Sequence, residues 1–105
     1  MKAIIHGFRY DTEKAEKLGE YRTTNGRGDF HFFEESLYRT PKAHRYFLAG
    51  AGGAMSRYAV SCGQNQWTGG EKIITLTDAE ALEWAEQFLT ADETERIFAE
   101  SIVDA

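Results

Sequence analysis

Leu37 to Tyr58 reads LYRTPKAHRYFLAGAGGAMSRY: two strand-like pieces around a turn opened by Pro41, then a glycine cluster and a short polar segment. Proline fixes φ and cannot donate to a sheet ladder, so it belongs at the turn and not inside either strand. The stretch therefore predicts a β-hairpin, with Asp29 to Thr40 as the first strand and His44 to Ala49 as the return. Phe30, Phe32 and Tyr38 share one parity with Glu34 and Ser36, whereas Phe33 and Leu37 share the other with His31 and Glu35. Strict alternation fails, which predicts a bulge near Glu34-Glu35. Gly50, Gly52 and Gly53 end the return strand, Ala54 to Val60 reads as one helical turn, and Ser61 to Gly70 as loop.

Working outward, Lys2 to Tyr10 reads as a strand with a bulge or close approach at Gly7. Asp11 stands where a helix N-cap belongs, Thr12 to Leu18 reads as a short helix, and Gly19 as its stop. Tyr21 to Gly28 is a turn-rich connector with Asn25-Gly26 as a tight turn. On the other side, Glu71 to Leu76 is strand-like. Thr77-Asp78-Ala79-Glu80 fits a capping box, in which the threonine oxygen takes a backbone N–H and the glutamate reaches back. The helix that follows carries Ala81, Leu82, Ala85, Phe88 and Leu89 at helical spacing. A second opens near Thr90 or Asp92 and is expected to bury Ile97, Phe98 and Ile102. The expected class is α+β: a small, mainly antiparallel sheet with one short N-terminal helix and two C-terminal helices, a single domain over residues 1–105.

A chain of 105 residues suffices for one modest core. No apolar run approaches the roughly 20 residues needed to cross a bilayer, so no membrane partner is expected. MKAIIHGFRY lacks the apolar run and small-residue cleavage site of a secretory signal. Cys62 is the one cysteine, which excludes an intrachain disulfide and cysteine-cluster zinc sites. These features predict a cytoplasmic protein. Charge is segregated: residues 1–70 carry ten Lys/Arg against seven Asp/Glu, and residues 71–105 carry two against ten. An acidic helical end of this kind can imitate nucleic-acid phosphate, dock on a basic groove, or simply keep a small protein soluble.

Candidate chemistry is sparse. Gly50-Ala51-Gly52-Gly53 follows a strand but lacks both the phosphate-loop and the dinucleotide-loop spacing, and no cofactor is expected. His31, Glu35 and His44 fall on the predicted hairpin and define a hypothetical metal or general-base cluster, though no local metal-ligand spacing supports it. Ser56, Ser61 and Cys62 lie in no nucleophile motif. Arg27-Gly28-Asp29 spells an adhesion tripeptide, read as chance in a chain without a secretory signal. Tyr38, Arg39, Lys42, His44, Arg45, Tyr46, Arg57 and Tyr58 interleave cations with aromatics around the hairpin. That pattern suits phosphates and unpaired bases, a protein interface, or a sheet with solvated arginine cover.

The order IIHGFRYDTEKA, DFHFFEESLYRT, YFLAGAGGAMSRYA and WTGGEKIITLTDAEALEWAE resembles a group of small proteins found in phages, plasmids and conjugative elements of bacteria. Some of that group resemble or include anti-CRISPR inhibitors of RNA-guided nucleases. The resemblance runs to about Glu86. It implies a non-enzymatic inhibitor whose partner is a CRISPR effector complex, through its protein, its guide RNA or both; a homodimer stays open. The partner-binding residues then expected are Arg39, Arg45, Tyr46, Arg57 and Tyr58 on the hairpin and Glu80, Glu83 and Glu86 on the acidic helix. A nucleic-acid-binding accessory protein of a mobile element and a metal-dependent nuclease acting on guide RNA are the alternatives.

Overall fold

A computed structural model of the chain describes residues 1–26 and 28–105. Arg27, and with it the first residue of the adhesion tripeptide, lies outside the described residues.

The N-terminal strand is in fact a hairpin. β1 (Lys2–Ile5) pairs antiparallel with β2 (Phe8–Asp11), Ile5 facing Phe8. The two residues between them, His6 and Gly7, both have positive φ, at 51° and 81°, as the tightest hairpin turn requires. The expected helix over Thr12 to Leu18 does not form. The Asp11 carbonyl accepts from both Lys14 N and Ala15 N, and its Oδ1 accepts from Glu13 N at 3.0 Å, closing one turn. The chain then extends into β3 (Glu16–Arg22). Leu18 and Tyr21 pack against the core from this strand. Gly19 is no helix stop: a Cβ there would lie 2.8 Å from Leu89 Cδ1, so it admits the end of the first helix.

β4 (Phe33–Arg39) and β5 (Tyr46–Gly52) form the hairpin around Pro41, and β8 (Gly70–Leu76) adds to β5. The sheet order is β3-β4-β5-β8, antiparallel throughout. β4 is shorter than expected because Asp29 to Phe32 is taken up in turns. The bulge expected near Glu34-Glu35 is absent: both residues pair in register on both sides, and the register shift lies on β3 between Lys17 and Gly19. Ala54 to Tyr58 is a run of turns instead of a helical one, and Ser61 to Gly70 is more than loop. β6 (Val60–Gly63) and β7 (Gln66–Thr68) make an exposed hairpin there.

Two helices close one face. α1 (Asp78–Phe88) and α2 (Ala91–Phe98) each begin with a complete capping box, Thr77 with Glu80 and Thr90 with Glu93. Their apolar sides set Ala81, Trp84, Ala85 and Phe98 on Leu37 and Leu48 of the sheet. Phe98 is buried as expected, Ile97 half-buried, and Ile102 exposed in the tail. On the opposite face the β1–β2 hairpin lays Tyr10 edge-on to Phe47, at 5.4 Å between centroids, and Phe47 stacks on Tyr38. No helix is long and apolar enough to cross a membrane.

Candidate functional site

Alternation along β4 turns Phe33, Glu35 and Leu37 toward the helices, which leaves a carboxylate beneath α1, 2% exposed. A buried carboxylate is tolerated only when its oxygens are claimed by donors or a cation. Three groups supply them. Tyr58 Oη donates to Oε2 at 2.5 Å and Trp84 Nε1 donates to Oε1 at 2.8 Å, while Arg57 Nε lies 3.4 Å from Oε2. The glycine cluster makes this geometry reachable. Gly50 is the cross-strand neighbour of Glu35 on β5, and a Cβ there would sit 2.2 Å from Tyr58 Cζ. Without it, the ring crosses the strand and its hydroxyl meets the carboxylate. Burial, then the bond to Glu35, push the Tyr58 phenol well above its usual ionisation range. Both carboxylate oxygens are taken, so Glu35 acts as a clasp joining sheet, loop and helix. Beside it opens a groove of about 630 Å³ bordered by His31, Arg57, Glu80, Glu83 and Trp84.

The hairpin residues expected on one binding face are dispersed. Tyr58 is 1% exposed and turned inward. Tyr46 is half-buried against Phe98, 5.4 Å between centroids. Arg39 pairs with Glu16 at 2.7 Å, a bond that raises its pKa. Arg57, its side chain 48% exposed, is engaged with Glu35 and leans over the Tyr58 ring. Arg45 lies over Phe8, its Cζ 4.1 Å from the ring centroid, and enters no ion pair among the described residues. Of these five, Arg39 and Tyr46 are strand residues that face each other across the hairpin, whereas Arg45 lies in its turn region and Arg57 and Tyr58 in the turns after β5.

The acidic helices differ. Glu80 is held in its capping box, where bonds from Thr77 keep its carboxyl below the usual range. Glu83 and Glu86 are exposed. With Asp78, Asp92 and Glu95 they are five exposed carboxylates of α1 and α2 that enter no ion pair among the described residues.

His31, Glu35 and His44 are not brought together. His31 lies beyond the Phe33–Gly52 end of the hairpin and His44 beyond the Arg39–Tyr46 end, about 20 Å apart at the usual rise per residue. Glu35 between them is already saturated, and no cluster of His, Cys, Asp or Glu among the described residues could hold a metal. Ser56 Oγ donates to the Gly53 carbonyl and accepts from Tyr58 N, a turn-closing role. Cys62 is an exposed free thiol.

Two features escaped the sequence. The partners of Glu35 lie far along the chain, and only the failed alternation on β4 hinted that a carboxylate faced inward. Arg45 and Lys42 meet Arg9 and Lys14 from the N-terminal hairpin and its exit turn, a gathering that no local spacing signals. No protein family, curated protein or solved structure matches the chain.

Proposed function

We propose that the chain is an anti-CRISPR-like inhibitor of a mobile element, which works by binding a guide-loaded nuclease and makes or breaks no bond itself. The observation that supports this is the unpaired acidity of α1 and α2. Seven carboxylates stand there against one cation, Arg96, and those not used in capping face solvent without an ion-pair partner among the described residues. RNA-guided nucleases hold nucleic acid in positively charged channels. A rigid surface studded with carboxylates can occupy such a channel in place of phosphate, and charge complementarity of this kind also speeds encounter. The resemblance of the ordered motifs through Glu86 points to the same class. Rigidity follows from the fold: both helices are capped, and Trp84 anchors α1 to Glu35.

The test is co-purification with purified guide-loaded nucleases of several types, comparing the natural chain with Glu83→Lys/Glu86→Lys. Retention by one nuclease and its loss in the variant supports the proposal. Equal retention of both proteins, or retention of neither, rejects it. A second reading, a nucleic-acid-binding accessory protein, draws on the unpaired cations around Arg45. It predicts tighter binding to free RNA or DNA than to any nuclease complex.

A further inference from the structure

A second surface of this acidic protein is basic. Between the β1–β2 hairpin and the tip of the β4–β5 hairpin lies a pocket of about 280 Å³ bordered by Arg9, Lys14, Lys42 and Arg45, with Asp11 as its one carboxylate. Asp11, whose Oδ1 accepts from the Glu13 N–H, offsets one of the four charges and leaves the pocket with an excess of positive charge. None of the four cations is in an ion pair among the described residues, whereas Lys17, Arg22, Arg39 and Arg57 all are. Gathering four like charges raises the electrostatic energy of the free protein, an arrangement that an anion would relieve.

The pocket is also shaped. Arg45 is anchored at its backbone, donating to Thr40 Oγ1 at 2.9 Å while its carbonyl accepts from Thr40 N at 2.8 Å. Its guanidinium lies over the partly exposed Phe8 ring, which holds the planar cation in place. A guanidinium plane so fixed can carry an unstacked base while the neighbouring lysines meet the adjoining phosphates.

We infer that this pocket binds the phosphodiester backbone of a single-stranded nucleic acid, with Arg9, Lys14 and Lys42 on phosphate and Arg45 stacked against a base. A carboxylate ligand would use the charges but not the stacked plane. The inference rests on the inhibitor reading only for the identity of the strand, an exposed segment of guide RNA; the chemistry of the pocket stands without it.

The experiment is fluorescence anisotropy of a short labelled single-stranded RNA with the purified protein, between about 50 mM and about 200 mM salt. With three phosphate contacts the slope of log K against log salt is expected to be about −2, and Lys14→Gln/Lys42→Gln lowers its magnitude by about 1.4. Lys72→Gln, on β8 and outside the pocket, leaves it unchanged. Oligoglutamate and inorganic phosphate serve as competitors and displace the RNA poorly. No binding at the lower salt, a slope indifferent to the double substitution, or displacement by oligoglutamate as effective as by unlabelled RNA would overturn the proposal. Lys14 and Lys42 border a different groove from Glu83, so this result and nuclease retention fail or succeed separately.

Discussion

Trp84 donates its indole N–H to Glu35 across 49 residues of chain, at 2.8 Å. That bond ties α1 to the centre of the sheet, and with Tyr58 it makes a carboxylate part of the core. Removing the carboxylate leaves two buried donors without an acceptor, so Glu35→Ala is expected to cost about 3 kcal/mol or more. Glu35→Gln, which keeps shape and one acceptor oxygen, costs less. Urea unfolding followed by far-UV circular dichroism measures both; a Glu35→Ala loss under about 0.5 kcal/mol would refute the clasp.

Tyr58→Phe retains the ring and deletes one donor, for an expected loss of about 1–3 kcal/mol. It also changes the alkaline response. The Tyr58 pKa is raised in the folded state above the ordinary 10.0, so its stabilising contribution is complete below that pH. Above pH 10.0 the unfolded chain ionises first, and stability falls as pH rises toward the folded value. Urea midpoints followed from neutral pH through this range should decline less steeply in Tyr58→Phe. Identical declines would remove Tyr58 from the explanation.

Gly50→Ala tests the close approach. Alanine in a strand is ordinarily no worse than glycine, but here the new methyl would meet the Tyr58 ring, which must leave the carboxylate. We expect a loss of about 2 kcal/mol and a red shift of Trp84 fluorescence as water reaches the clasp. An unchanged spectrum with unchanged stability would mean the ring has room to spare.

Thr77→Ala and Thr90→Ala each remove a cap and should cost about 1 kcal/mol. Glu80 and Glu93 have folded pKa values lowered from 4.5 by their bonds from the caps. Their contribution is thus present above that pH and lost as pH falls below it. Each cap variant should flatten the acid limb of the stability profile; an unaltered limb would count against the boxes.

The Thr77–Glu80 capping box was legible because both partners fall within four residues of each other, and Pro41 was legible because it can occupy so few backbone positions. Ala15 and Leu18 misled at the N-terminus: a spacing of three fits a helix face, yet Leu18 packs on the core equally well from a strand with a register shift. Glu35 misled more deeply. A carboxylate reads as surface, and the failed alternation was ascribed to a bulge, because Tyr58 and Trp84 become its neighbours only through tertiary packing. Tyr58 was placed among surface aromatics for the same reason. The basic pocket was invisible since Arg9 and Lys14 reach Arg45 from another hairpin.

Titrating the protein into a fixed concentration of the guide-loaded nuclease that retains it, and reading target cleavage, tests occupancy most directly. Blocking by occupancy predicts inhibition that rises linearly with added protein to a sharp end point at a fixed molar ratio, and an end point lost in Glu83→Lys/Glu86→Lys. Full inhibition by a small fraction of that ratio, deepening with incubation time, would mean turnover and would contradict it.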